Sequence, residues 1–155
     1  MTLNDELIEL LSETDDFITN ASNFSALIFE RIENLNWVGF YMLKANELLL
    51  GPFQGKPACI RISLERGVCG ASAKQRKPLI VEDVHDFAGH IACDSASNSE
   101  LVIPMLVWGK LYGVLDIDSP LVGRFDESDL KLFSELLETL MKKSDMDKIY
   151  DYYNC

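Results

Sequence analysis

Two apolar runs, Leu101 to Trp108 and Leu111 to Asp118, are separated only by Gly109-Lys110. Two extended segments joined by two residues, one of them glycine, turn back on each other as a tight antiparallel hairpin. An antiparallel sheet therefore belongs in the fold, and further strands follow from similar signals. Trp37 to Leu43 is aromatic and β-branched, stops at the polar Lys44 to Glu47 and resumes at Leu48 to Leu50. Gly51-Pro52 is expected to end that second strand. Cys59 to Leu64 alternates like a half-buried strand, and Leu79 to Glu82 reads as another.

Helical spacing occupies both ends of the chain. Leu3 to Leu35 carries apolar residues at helical intervals, and Asp15, Asp16 and Asn20 break it into two helices. Asp126 can cap a final helix that places Leu130, Phe133, Leu136, Leu137, Leu140 and Met141 on one face, with Lys142 and Lys143 suiting its C-terminal dipole. Gly67 to Gln75 is a short helix stopped near Pro78. Asp83 to Ser99 reads as a long ordered loop, a kind of segment that often carries function. The expected class is α+β: a central antiparallel sheet, the N-terminal and C-terminal helices packed on one face, and a ligand cavity on the other. Residues 1–144 form one domain in this reading, and 145–155 is a tail left without an assigned element.

A chain of 155 residues fits one domain by the ~150-residue prior. Its formal net charge of −11 repels phosphate backbones and anionic lipid, so nucleic acid is not an expected partner. The longest apolar stretch, Leu101 to Trp108, contains Pro104 and falls far short of the ~20 residues that span a bilayer. Met1 to Glu6 is acidic where a secretory or transit signal would be basic, and a cytoplasmic location is expected. The cysteines at 59, 69, 93 and 155 form no C-x-x-C pair, so a structural disulfide framework is not expected there.

Several side chains are placed for chemistry. Strict alternation puts Tyr112, Val114, Asp116 and Asp118 on one face of the last strand and Gly113, Leu115 and Ile117 on the other. Two aligned carboxylates with no nearby Lys or Arg in sequence raise each other's pKa or favour a cation; the ordinary alternative is a solvated strand end. Trp37, Gly39 and Tyr41 share a face of the first strand, as a pocket wall with a glycine gap or as plain core. Glu100 follows the Cys93 loop and can approach that thiol. The small polar residues around Cys93 offer hydroxyls and backbone N–H groups to a thiolate or a carboxylate, although a buried inert cysteine is the commoner case. A zinc set from Cys59, Cys69, His90 and Cys93 has C-x9-C and H-x2-C spacings, neither of them customary. Dinucleotide, Walker, His-Glu-x-x-His and Gly-x-Ser-x-Gly motifs are absent from the sequence.

Five segments together resemble the free methionine-(R)-sulfoxide reductases, which are GAF-domain enzymes. They are Asn36-Trp37-Val38-Gly39-Phe40-Tyr41, Leu50 to Cys59, Gly67-Val68-Cys69-Gly70, the block Gly89-His90-Ile91-Ala92-Cys93-Asp94-Ser95-Ala96-Ser97-Asn98-Ser99-Glu100, and Gly113 to Ser119. The likeness runs from about Leu3 to Met141. It implies a GAF fold, a homodimer, free methionine-(R)-sulfoxide as substrate and thioredoxin as reductant, with no metal or organic cofactor. On that resemblance the nucleophile falls on Cys93, the resolving cysteine on Cys59 and a third cysteine, a possible alternative resolver, on Cys69. The pocket acids fall on Glu100, Asp116 and Asp118, and the aromatic box on Trp37 and Tyr41. The rival expectations are a non-catalytic GAF-type sensor of a small molecule or of oxidation, and a zinc-binding interaction module.

Overall fold

The computed structural model describes residues 1–90, 93 and 95–155. Two helices, α1 (Leu3–Leu10) and α2 (Phe17–Arg31), precede the sheet. Thr2 opens α1 with a reciprocal capping box to Asp5, and Asp16 caps α2 through the Thr19 amide. Next come β1 (Trp37–Lys44), β2 (Glu47–Gly55), β3 (Arg61–Ser63), α3 (Gly67–Gln75) and β4 (Leu79–Val81). A single 3-10 turn (Val84–Asp86) follows, then β5 (Ser99–Val107), β6 (Lys110–Ser119), α4 (Glu127–Lys143) and α5 (Met146–Asn154). The strands form one sheet in the order β3-β2-β1-β6-β5-β4, with every neighbouring pair antiparallel.

Alternation along the strands divides the interior into two layers. Val38, Phe40, Met42, Leu101, Ile103, Leu115 and Ile117 face α1, α2, α4 and α5, where Leu7, Phe17, Phe24, Phe133 and Leu137 meet them. The opposite face carries Trp37, Tyr41, Val102 and Val114 and packs against Ile62, Val68 and Val84. Helix α3 covers part of this second face, so the sheet floors a space roofed by α3 and the loops. The α+β arrangement expected from the sequence is the one observed. Among the described residues, no helix is long and apolar enough to cross a membrane.

Several local expectations are corrected. The β5–β6 turn is Trp108-Gly109, not Gly109-Lys110, and both of its residues lie at positive φ (52° and 77°). A two-residue turn of this hand needs left-handed backbone at both positions; Gly109 takes the second, which Lys110 would strain to do. Strand β2 runs through Gly51-Pro52 to Gly55, because a register shift opposite Gly39 to Tyr41 absorbs the proline. Strand β3 begins only at Arg61, which leaves Cys59 in the preceding loop.

The most consequential correction is at Tyr112. Met105 pairs with Gly113 and Leu106 with Leu111, so Tyr112 is an extra residue in β6. This bulge sends Tyr112 into the helix-side layer, while Val114, Asp116 and Asp118 keep the opposite face. The 145–155 segment holds a helix that residue counting did not find. Asp145 caps it through the Lys148 amide, Met146 and Ile149 are buried, and Tyr150 and Tyr153 pack beside them. At its end the Asn154 amide donates to the Leu43 carbonyl and accepts from the Ala45 amide, both at 3.0 Å, closing the β1–β2 turn.

Gly109 and Gly113 both have positive φ, but a Cβ on Gly109 meets open space whereas one on Gly113 strikes the Tyr41 carbonyl oxygen. Gly109→Ala should cost ~1 kcal/mol of backbone strain. Gly113→Ala should cost ~2–4 kcal/mol, because collision is added to that strain. At ~2–4 °C per kcal/mol for a chain of this size, thermal denaturation should separate the two variants clearly; equal midpoints would contradict the packing described at the bulge.

Candidate active site

Strand β1 presents Trp37 and Tyr41 to the second face. Trp37 is stacked between Tyr41 (ring centroids 5.8 Å, 22°) and Phe53 (5.2 Å, 15°). Gly39 is needed for this stack, since a Cβ there would run into Phe53 and come within 2.7 Å of the Trp37 ring. The expected glycine gap is therefore filled by aromatic rings and does not open into the cavity. Phe53 carried no sequence signal of its own, because only the β1–β2 register sets it beside Gly39.

The acids arrive on the neighbouring strands β5 and β6, both inside the sheet. Glu100 on β5 pairs across the ladder with Asp118 on β6, and Asp116 stands two residues before Asp118 on the same face. Glu100 and Asp116 are only 7% and 6% exposed. From the first turn of α3, the Cys69 thiol points at Glu100 and donates to its Oε2 at 3.8 Å. One donor atom each from Cys69, Glu100 and Asp116 lies within 4.8 Å of the others. These groups line a cavity of about 50 Å³ together with Trp37, Tyr41, Asp118, Ser97, His90 and Cys93; among the described residues, neither Lys nor Arg lines it.

Cys93 is joined to Cys59 in a disulfide with Cα atoms 5.5 Å apart, well inside the usual span. The Cys59 loop hangs from the aromatic wall, for Tyr41 donates its hydroxyl to the Cys59 carbonyl (2.8 Å) and Trp37 donates its Nε1–H to the Lys56 carbonyl (3.1 Å). Cys69 is free and buried, and Cys155 is free and exposed. With Cys59 and Cys93 bonded to each other, the four-ligand set of Cys59, Cys69, His90 and Cys93 does not assemble here. The expected cradle of backbone N–H groups around Cys93 falls in part on residues 91, 92 and 94, outside the described residues. Ser97 is the described member of that segment that is buried against the cavity, and it accepts from Asn36 Nδ2 at 2.9 Å.

Burying acids together, with no Lys or Arg among the described lining residues, decides the protonation of Asp116. Burial first, then the charges of Asp118 and Glu100, hold the Asp116 carboxyl well above the usual carboxylate range. Asp116 Oδ1 has no hydrogen-bond partner among the described residues, and the carboxyl keeps its proton at a pH where a free aspartate has lost it. Burial and the charges of Asp116 and Glu100 likewise push the Cys69 thiol up, which makes it a neutral hydrogen-bond donor and a poor nucleophile. The Tyr41 hydroxyl is pushed up by burial and by Asp116 and stays protonated.

Residues 19–141 match the GAF-domain family. The free methionine-R-sulfoxide reductase of Escherichia coli is 46% identical over 96% of this chain and 92% of its own length. That of Saccharomyces cerevisiae is 44% identical over 83% and 76%. Among solved structures, the reduced form of fRMsr from Staphylococcus aureus superposes with a TM-score of 0.88 at 43% identity, covering 92% of this chain and 93% of that one. The free methionine-R-sulfoxide reductase of Neisseria meningitidis in complex with its substrate superposes at 0.89, with 36% identity, 94% and 88% coverage.

The charge state of the acid cluster can be measured without any ligand. A carboxyl that binds its proton more tightly in the folded chain contributes stability that is full below its unfolded pKa of about 4 and is lost as pH rises towards the folded value. Asp116→Asn keeps the shape and removes the ionisation. It should flatten the decline of the melting temperature above about pH 4 and raise the midpoint at pH 8 by a few degrees (~2–4 °C per kcal/mol). An unchanged pH slope would show that Asp116 titrates normally.

Proposed function

The chain belongs to the free methionine-R-sulfoxide reductases of the GAF-domain family, and from that premise we propose that it reduces free L-methionine-(R)-sulfoxide to methionine, with Cys93 as nucleophile and Cys59 as resolving cysteine. One juxtaposition carries the reading: the Cys59–Cys93 disulfide borders a cavity whose other side is a proton-holding acid cluster and a tryptophan face.

The substrate is a zwitterion carrying a neutral S=O group. Its ammonium is drawn to Glu100 and Asp118, while the N-terminal end of α3, which has no side-chain cap and whose Val68 and Cys69 line the cavity, suits its carboxylate. The methyl group and thioether chain lie against Trp37 and Tyr41. Asp116, kept protonated by its surroundings, donates to the sulfoxide oxygen. A peptide-bound residue has an amide in place of the ammonium, loses the charge-assisted contact, and is rejected.

In the reduced enzyme the Cys93 thiolate attacks the sulfoxide sulfur while the oxygen is protonated. The new sulfur–sulfur bond and the sulfur–oxygen bond then break, the hydroxyl passes to the Cys93 sulfur as a sulfenic acid, and the methionine sulfur keeps the electron pair and leaves as the thioether. Cys59 next attacks the Cys93 sulfur, the S–S bond forms, and the hydroxyl departs with a proton as water. Thioredoxin, with a potential near about −270 mV, returns both cysteines to thiols by exchange. Cys69 serves as the buried thiol that donates to Glu100 in preference to a second resolver. A homodimeric, cytoplasmic enzyme completes the reading.

Cys93→Ser should abolish methionine release in a single turnover. Cys59→Ala should release about one methionine per chain and then stall with thioredoxin, recovering with a small thiol. Normal release from Cys93→Ser, or full thioredoxin-driven turnover by Cys59→Ala, would remove the assigned roles. Asp116→Asn and Asp118→Asn should each lower kcat/KM for the R epimer by ~10²-fold or more; steady-state assays with resolved epimers measure this directly.

A further inference from the structure

The sequence left open whether the aligned acids attract a cation, and the fold adds a sulfur to them. We propose that Cys69, Glu100 and Asp116 form a binding site for a borderline-soft divalent cation, Zn²⁺ foremost, which competes with the substrate. Their donor atoms lie within 4.8 Å of one another, all three residues are buried, and the thiol already sits 3.8 Å from the Glu100 oxygen. In a tetrahedral zinc centre, Zn–S of about 2.3 Å and Zn–O of about 2.0–2.2 Å set donors roughly 3.5 Å apart, so closure requires a contraction of only about 1 Å.

A second observation points to a ligand independently of the clustering. Asp116, whose carboxylate belongs to the cluster, is 6% exposed, and its Oδ1 is buried without a hydrogen-bond partner among the described residues. No Lys or Arg among the described lining residues supplies positive charge. A thiolate beside two carboxylates favours Zn²⁺ or Cd²⁺ over Mg²⁺ or Ca²⁺, whose preferred donors are oxygens alone. Binding displaces the thiol proton and the proton held among the acids. The ion then takes Glu100 from the ammonium and removes the proton donor Asp116, so catalysis stops until a chelator withdraws the metal. This competition rests on the proposed substrate placement, whereas the site itself does not.

The test uses the full chain carrying Cys155→Ser, held in its Cys59–Cys93 disulfide state, so that Cys69 is the single remaining thiol of the four cysteines. Titration with Co²⁺ should give one ion per chain and a near-ultraviolet sulfur-to-cobalt charge-transfer band. Zn²⁺ should displace it, Mg²⁺ should not, and methionine sulfoxide should displace it competitively. Affinity should fall ~10-fold or more in Cys69→Ser and in Glu100→Gln. Absence of the band at millimolar Co²⁺, or undiminished affinity in Cys69→Ser, would overturn the site. Because the band reports sulfur ligation with Cys69 intact, the result stands even if the Cys69→Ser chain does not fold. A band that methionine sulfoxide leaves untouched would overturn the competition and, with it, the assigned place of the ammonium, while upholding the ion.

Discussion

Three carboxylates held against one another on the concave face of an antiparallel sheet, with no basic side chain among the described lining residues, set the terms for the rest of the molecule. Desolvation and like-charge repulsion both favour the neutral form, so the cluster keeps a proton at a pH where an isolated aspartate would have lost it. The same repulsion makes the site a drain on stability. The second layer offsets it by surrounding the acids with Val102, Val114, Ile62 and Val68, and the helix-side layer supplies a large aromatic and aliphatic core. On the proposed placement, an ammonium beside Glu100 and Asp118 relieves part of that repulsion.

The sheet supplies the rigidity this requires. Glu100, Asp116 and Asp118 stand on two interior strands, β5 and β6, where ladders on both sides fix their directions. The two cysteines of the disulfide lie on connecting segments instead: Cys59 between β2 and β3, and Cys93 in the segment before β5. The acids thus rest on strands and the disulfide on the connections between them.

Much of this was legible in the residues. The hairpin, the Asp126-capped helix and the alignment of Asp116 with Asp118 each follow from a local rule of spacing or capping, and each occurs. What was not legible depended on partners distant in sequence. The bulge at Tyr112 is defined only by the strand opposite, and without it simple alternation puts Tyr112 on the wrong face. Helix α5 is nine residues of mostly Asp, Lys, Tyr and Asn, too short and too weak in intrinsic propensity to stand out; packing of Met146 and Ile149 makes it helical. The pairing of Cys59 with Cys93 came from family likeness, since sequence separation alone does not bring two cysteines together.

Tyr41 performs two tasks with the two ends of one side chain. Its ring forms part of the cavity wall, and its hydroxyl suspends the peptide that carries Cys59. Selection on such a residue is pleiotropic: a change that widens the cavity also slackens the tether on the loop that carries Cys59. Cavity shape and loop position are thereby yoked, and an engineer who wants to alter one without the other must first give that loop a new anchor.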